Sequence, residues 1–216
     1  MKTIRVILII YIAMIDFLSG EDVYAQSIQL SHIERIIGFP SAEPGIEKGV
    51  SACFAGTVGN TLLMAGGCNF PNRPAAEGGE KRFYQGIYAA QITDKNELHW
   101  RCIGQLPAPC AYGVSIPLEK GLLCIGGNNT QESFATAFVI TIKEGKACVE
   151  NYPTLPTKMD NFTGAHYGHR VIVSNGLQLF ELDLEHIELG WHALQPLTTK
   201  KLGQPISAFV DGSFCQ

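Results

Sequence analysis

GVSACFAGTVGNTLLMAGG (residues 49–67) consists of an apolar segment, a polar turn, a second apolar segment and a Gly-Gly pair. The same pattern returns in YGVSIPLEKGLLCIGG (residues 112–127). A weaker copy, FTGAHYGHRVIVSNG (residues 162–176), has Ser-Asn-Gly at its end, and a fourth begins at GQPISAFVDGSF (residues 203–214). Self-similarity at a period of roughly 40–60 residues is typical of arrays of one structural unit.

Each unit continues with two more strand-like segments. The third segments are GIYAAQI, ATAFVITI and QLFELDL, and the fourth are HWRCIGQLP, ACVENYPTLP and GWHALQPL. Four strands per unit with a Gly-Gly after the second indicate a kelch blade. Glycine is expected there because backbones crowd at this point. The sequence therefore predicts an all-β, kelch-type β-propeller, with blades at about 49–107, 111–156 and 159–197 and a partial blade at 203–216.

Composition narrows the classes of partner. The 216 residues include 16 basic and 20 acidic side chains, so no basic surface for nucleic acid or anionic lipid is expected. Apolar residues make up 46% of the chain, which is enough for a sizeable core. Composition therefore excludes nucleic acid and, after removal of a signal peptide, a membrane surface as expected partners.

The first 26 residues have the pattern of a signal peptide. Lys2 and Arg5 precede an apolar run at residues 6–15, and VYAQS (residues 23–27) offers a cleavage site. The run is too short to span a bilayer. We expect a periplasmic or secreted protein whose propeller portion occupies residues 27–216. The alternative is an uncleaved N-terminal anchor.

Two side-chain patterns could suggest metal or disulfide chemistry. The seven cysteines include no C-x-x-C pair, and the sequence assigns no disulfide. Cys53, Cys102, Cys124 and Cys148 lie in apolar runs and are expected to be buried. The HYGH stretch (residues 166–169) predicts the tip of a surface hairpin, and acidic residues near 183–188 predict a solvated turn. No metal site is expected.

Three stretches carry a resemblance to a known family. They are residues 49–89, AYGVSIPLEKGLLCIGGNN (residues 111–129) and MDNFTGA (residues 159–165). They resemble the kelch-type N-acetylneuraminate epimerases, in particular the cyclically permuted mutarotase branch of exported proteins. The most specific element is the pattern Glu77-Gly78-x-x-Lys81-x-x-Tyr84 after a Gly-Gly strand. The resemblance implies a six-bladed propeller, of which this chain would be a part.

The resemblance also implies an activity. The family interconverts the α and β anomers of N-acetylneuraminate (sialic acid), and no metal or organic cofactor is implied. The family's proposed catalytic pair is a Glu and an Arg that follow an Asn-Gly-Glu strand end. No such Asn-Gly-Glu…Arg arrangement occurs in this sequence, so the catalytic residues stay unassigned.

The candidate binding residues follow from what the reaction needs. Ring opening takes an acid and a base, and the sugar's carboxylate is best held by a cation. The loop after residue 67 offers Arg73 and Arg82 for an anion, Glu77 for proton transfer and Tyr84 for packing on a sugar face. Lys81 and, in the second unit, Asn128 complete the predicted substrate-binding set. The alternative is a solvated loop with a turn-forming asparagine at residue 128.

Other functions remain open from the sequence. The absence of the Glu/Arg pair from the sequence favours a non-catalytic kelch module that binds a glycan or a protein. A copper-radical oxidase of propeller type is a weaker fit, because no Tyr/His ligand set with an associated cysteine is recognisable. Three blades leave an open edge, which predicts self-association if the propeller is incomplete.

Overall fold

A computed structural model describes residues 37–216 except 92, 94 and 96. The predicted signal peptide lies outside the described residues. In the part of the chain that is described, no helix combines the length and the hydrophobicity that crossing a bilayer requires.

The first sheet contains four antiparallel strands in the order β1-β2-β5-β6. They are β1 (Phe54–Val58), β2 (Thr61–Ala65), β5 (Gly86–Ala90) and β6 (Arg101–Gln105). Between β2 and β5 the chain forms a small hairpin of β3 (Cys68–Asn69) and β4 (Arg82–Phe83), with a 3-10 helix at Ala75–Glu77 between them. The predicted order of four strands per unit is present.

The next two sheets repeat this order. The second contains β7 (Val114–Leu118), β8 (Gly121–Ile125), β9 (Ala137–Lys143) and β10 (Lys146–Tyr152). The third contains β11 (Thr163–Tyr167), β12 (Arg170–Ser174), β13 (Leu179–Asp183) and β14 (His192–Ala193). A hairpin of β15 (Ala208–Val210) and β16 (Ser213–Cys215) follows. Strand β14 is shorter than the segment predicted at residues 190–197, where Pro196 has no N–H to donate.

The first strands of successive sheets contact one another: β1 contacts β7, β7 contacts β11, and β11 contacts β15. The core lies between the sheets. Strand β8 is buried on both faces, since Leu122 and Cys124 pack with the first sheet while Leu123 and Ile125 pack with the third. This two-sided burial explains why the segment is continuously apolar.

The other face of the first sheet is covered by the residues that precede it. Ile46 packs there with Met64, Tyr84 and Tyr88 in one buried cluster. The carboxylate of Glu43 accepts hydrogen bonds from the Tyr88 hydroxyl at 2.7 Å and from the backbone N–H of Gly86 at 2.9 Å. The segment before the first blade is therefore bound to that blade by polar as well as apolar contacts.

The cysteines depart from the sequence prediction. Cys124 is buried as expected, but Cys53 and Cys148 are only partly buried and Cys102 is exposed, while Cys68 and Cys110 near the loops are buried. Burial raises the pKa of the Cys110 thiol to about 12. The apolar runs predicted strands correctly but not the face on which a cysteine lies. All seven thiols are free.

Candidate functional site

The end of the sheets at which β2 and β8 finish in Gly-Gly is called here the glycine rim. Gly66 and Gly126 have φ of +65° and +59°, in the left-handed region. A Cβ on Gly66 would lie 2.3 Å from the Cys110 oxygen, and one on Gly126 would lie 2.5 Å from the Met159 oxygen. Both oxygens belong to the chain as it passes to the next sheet. Glycine is required because the crossing backbone is this close.

The long loop of the first blade lies at the glycine rim and is anchored there by Asn69. Its side-chain amide donates to the carbonyls of Gly45 and Gly49 at 2.8 and 2.7 Å. Its oxygen accepts the Tyr84 hydroxyl at 2.8 Å. The hairpin that carries the predicted charges is thus fixed at its base.

Two of the predicted charges lie on the exposed part of this loop. Arg73 reaches back to the Gly78 carbonyl at 3.5 Å, a long hydrogen bond within the loop itself. Glu77 ends the short 3-10 helix and is exposed. Neither borders the pocket described below.

Tyr84 is fully buried in the cluster under the first sheet, and its hydroxyl is bonded to Asn69. The prediction that its ring packs on a sugar face is therefore wrong, because the ring packs in the hydrophobic core. Arg82 lies over the Tyr84 ring, 5.4 Å from the centroid. The Tyr84 ring thus orients Arg82, one of the predicted substrate-binding residues.

Lys81 has the most defined position among the predicted charges. Its Nζ donates to the Tyr112 hydroxyl at 3.0 Å. It also lies 4.9 Å from the Tyr112 ring centroid, 5.5 Å from that of Phe70 and 6.0 Å from that of Phe83. The hydrogen bond to Tyr112 raises the pKa of Lys81, so the side chain is a cation at neutral pH.

A pocket of about 610 Å³ opens between the loops of the first and second blades. Lys48, Lys81 and Arg82 contribute positive charge, and Glu47 and Glu80 contribute negative charge. The loop of the second blade adds Asn129, Thr130 and Gln131. A pocket of this volume with polar groups on several sides has the size of a small-molecule site.

Four residues at the starts of successive repeats form an inter-sheet backbone chain: Ala52, Tyr112, Asn161 and Gln204. All four have left-handed backbones, with φ of 55°, 62°, 51° and 52°. The N–H of Tyr112 donates to the Ala52 carbonyl at 2.9 Å, Asn161 to Tyr112 at 2.9 Å, and Gln204 to Asn161 at 3.1 Å. Each blade therefore presents one side chain at the same place on the glycine rim.

The third blade brings an acidic group to this rim. The Asp160 carboxylate accepts hydrogen bonds from the Ser133 hydroxyl and from the Asn161 amide. Burial alone would raise the pKa of Asp160, but the bonds from Ser133 and Asn161 and the charge of Lys201 lower it overall. Asp160 is consequently an ionised hydrogen-bond acceptor.

Asn128, predicted to bind substrate, lies beside this acidic group. Its backbone pairs with Ala111, and its side-chain oxygen is buried with no hydrogen-bond partner among the described residues. Ser133, Asp160 and Tyr112 were not among the residues predicted from the sequence. The MDNFTGA stretch and the repeat-equivalent position of Tyr112 were the signals that could have identified two of them.

The HYGH stretch lies at the opposite end of the blade. Residues 168–169 turn between β11 and β12, which confirms the predicted hairpin. Beside this hairpin, His169, Asp183 and Glu185 place ligand-type atoms within 4.8 Å of one another, a grouping that the sequence did not predict. This group does not border the pocket between the loops of the first and second blades. Asp183 already accepts a hydrogen bond from the backbone N–H of Glu185, and its other carboxylate oxygen lies 2.9 Å from His186 Nδ1.

Comparison with known proteins agrees with the repeat pattern and with the resemblance. The family model for N-acetylneuraminate epimerase matches residues 20–149, more than half of the chain. The chain belongs to the N-acetylneuraminate epimerase family. The matched region contains both rim loops and the Lys81–Tyr112 pair.

The matches to individual relatives are shorter than the match to the family model. The N-acetylneuraminate epimerase of Vibrio vulnificus (strain YJ016) is 35% identical over 94 residues, which are 42% of this chain and 24% of the relative. That of Yersinia pestis (strain Pestoides F) is 36% identical over 120 residues, 50% of this chain and 29% of the relative. That of Escherichia coli (strain K12) is 34% identical over 108 residues, which are 48% of this chain and 29% of the relative. The matched part of the chain thus spans less than a third of the length of each of these relatives.

The fold has a counterpart among solved structures. The structure of YjhT aligns with a TM-score of 0.59 over 76% of this chain and 58% of that chain, at 11% identity. The predicted all-β propeller fold is confirmed.

Proposed function

We propose that this chain contributes to an exported mutarotase that interconverts the anomers of N-acetylneuraminate. The observation that carries the proposal is the family match over residues 20–149, because that region supplies both loops of the rim pocket. The fold alone would not support it, since propellers host many functions.

The chemistry of the rim is compatible with a sugar acid. Lys81 and Arg82 provide cationic donors near the pocket, and Asp160 provides an ionised acceptor one blade further along the inter-sheet backbone chain. Ring opening needs a base to take the anomeric hydroxyl proton and an acid to protonate the ring oxygen. The residues that transfer these protons are not assigned in this chain.

Anomeric exchange measured by proton NMR tests the proposal. α-N-Acetylneuraminate released by a sialidase should reach its equilibrium mixture faster in the presence of the 216-residue chain than in buffer. Heat-denatured chain at the same concentration is the control. Equal rates with folded chain and with buffer would contradict catalysis by this chain.

A second function is a non-catalytic sugar-binding module. It is favoured by the absence of an Asn-Gly-Glu…Arg arrangement from the sequence. Calorimetry that detects binding of N-acetylneuraminate, together with no effect on the exchange rate, would support this function over the mutarotase.

Export is the remaining part of the proposal. The basic and apolar segments within residues 1–26 support it. Expression in a bacterium followed by N-terminal sequencing of the periplasmic or secreted protein should give a start near Ser27. An intact Met1 on membrane-bound protein would support the anchor instead.

A further inference from the structure

We propose that the Lys81 ammonium and the Tyr112 hydroxyl together bind the carboxylate of the sugar acid. The assignment rests on the proposed function, because it names the group of that substrate which this part of the site recognises. Its competitors are Arg73 and Arg82, the two arginines that the sequence suggested for the same task.

The hydrogen-bonding capacity of the Lys81–Tyr112 pair suits an anion. An ammonium has three N–H donors, and Lys81 uses one on the Tyr112 oxygen at 3.0 Å. The Tyr112 O–H then remains free to donate, and among the described residues no side-chain acceptor takes it. The pair therefore presents only donors. A carboxylate, which only accepts, is the complementary group.

The Lys81 cation is positioned before any ligand arrives. Three aromatic rings lie within 6.0 Å of Lys81 Nζ. Such contacts restrict a side chain that would otherwise lose considerable rotamer freedom on binding. Within the described part of the chain Lys81 has no carboxylate partner, whereas Lys158 is paired with Glu132 at 2.5 Å. Lys81 is thus a cation that is oriented but not neutralised.

The backbone of Tyr112 also fixes the position of the pair. Its φ of 62° is uncommon for a bulky residue, and Ala52 fills the same position in the first blade. The inter-sheet backbone chain holds this conformation through the bond from Asn161. This left-handed backbone, shared with the equivalent residues Ala52, Asn161 and Gln204, therefore fixes the point on the rim from which the Tyr112 side chain projects.

The arginines are engaged differently. Arg73, like Tyr112, does not border the pocket, but Arg73 is turned back to the Gly78 carbonyl in its own loop, whereas Tyr112 is hydrogen-bonded to the pocket residue Lys81. Arg82 borders the pocket and lies against the Tyr84 ring, whose hydroxyl is already donated to Asn69. Neither makes a paired arrangement of donors with a second residue among those described. The Lys81–Tyr112 pair is the better carboxylate site.

The test compares N-acetylneuraminate with its methyl ester, in which the carboxylate charge is replaced by a neutral ester group. Both are titrated into the 216-residue chain by calorimetry. Since a charge-assisted hydrogen bond lost from a site weakens binding by about tenfold, the acid should bind wild-type chain about tenfold more tightly than the ester. Lys81→Met should bring this ratio close to one. Tyr112→Phe should reduce it by about threefold, because one neutral donor is lost.

Lys120→Met is the matched control. Lys120 is exposed in the turn between β7 and β8, at the opposite end of the second sheet from the glycine rim. The ratio of acid affinity to ester affinity in Lys120→Met should equal that of wild type. Unchanged thermal midpoints of Lys81→Met and Tyr112→Phe would show that both variants fold.

Each other outcome overturns a stated part of the argument. A ratio that persists in Lys81→Met but is lost in Arg82→Gln or Arg73→Gln assigns the carboxylate to an arginine. Equal binding of acid and ester by wild type rejects the carboxylate site while sugar binding stands. Binding of neither ligand by folded wild-type chain rejects the proposed function as well.

Discussion

The backbone N–H of Asn161 donates to the carbonyl of Tyr112 at 2.9 Å, which joins the start of the third sheet to the start of the second. Tyr112 makes the same bond to Ala52, and Gln204 makes it to Asn161. A left-handed residue is needed at each step, and none of the four is glycine. This inter-sheet backbone chain fixes which side chains face one another across the glycine rim.

The first prediction concerns the left-handed backbone at Ala52. Ala52→Gly should raise the free energy of unfolding by about 0.5–1 kcal/mol, because glycine adopts positive φ without the steric penalty of a Cβ. Denaturant unfolding measures the change. Ala55→Gly, in the exposed position of β1, is the control and should lower stability by about 0.5–1 kcal/mol. Destabilisation of similar size in both variants would show that the conformation at Ala52 is not strained.

The second prediction separates close approach from backbone conformation at the Gly-Gly pairs. Gly126→Ala should destabilise by about 2–4 kcal/mol, since its Cβ would meet the Met159 oxygen at 2.5 Å as well as requiring φ of +59°. At Gly145, φ is +74° and no atom lies within 4 Å of an added Cβ. Gly145→Ala should therefore lower the free energy of unfolding by about 1 kcal/mol. Equal losses in thermal or denaturant unfolding would mean that the crossing chain moves aside.

The third prediction tests the attachment of the preceding segment to the first blade. Glu43→Ala leaves the buried Tyr88 hydroxyl and the Gly86 N–H without their acceptor, and should cost about 2–4 kcal/mol. Tyr88→Phe in the same background should recover part of that loss, because the unpaired hydroxyl is removed. Glu119→Ala, in an exposed turn, should change stability by less than about 0.5 kcal/mol. Strictly additive losses in the double variant would contradict a direct bond.

The fourth prediction concerns pH. The folded pKa of Asp160 lies below its ordinary value of 3.8, so the folded state favours the ionised form. Its contribution to stability is present in full above pH 3.8 and is lost as the pH falls through the lower, folded value. Unfolding measured between about pH 2 and pH 6 should therefore show a smaller acid-induced loss of stability for Asp160→Asn than for wild type.

Ser133→Ala supplies the control for this pH effect. Removing the hydroxyl that donates to Asp160 should raise the carboxyl pKa and shift the acid transition towards higher pH. Identical acid transitions in wild type, Ser133→Ala and Asp160→Asn would show that Asp160 does not contribute to the pH dependence.

The sequence by itself determined the repeat, and with it the four-stranded unit. The Gly-Gly pairs were identified for the correct reason, since Gly66 and Gly126 have positive φ and a crossing backbone beside them. Local patterns suffice here because strand alternation, turns and glycine conformations depend on neighbouring residues. The same information located the long charged loop and the cation Lys81 within it.

Only the tertiary structure decided which of these side chains could meet a ligand. Tyr84 and Lys81 are three residues apart in one motif, yet the first is buried in the core and the second is held at the rim by Tyr112 from another blade. Asp160 and Ser133 come together from different parts of the chain. Such contacts depend on how the blades pack, because residues far apart in sequence meet only after each sheet has buried its apolar faces against its neighbours.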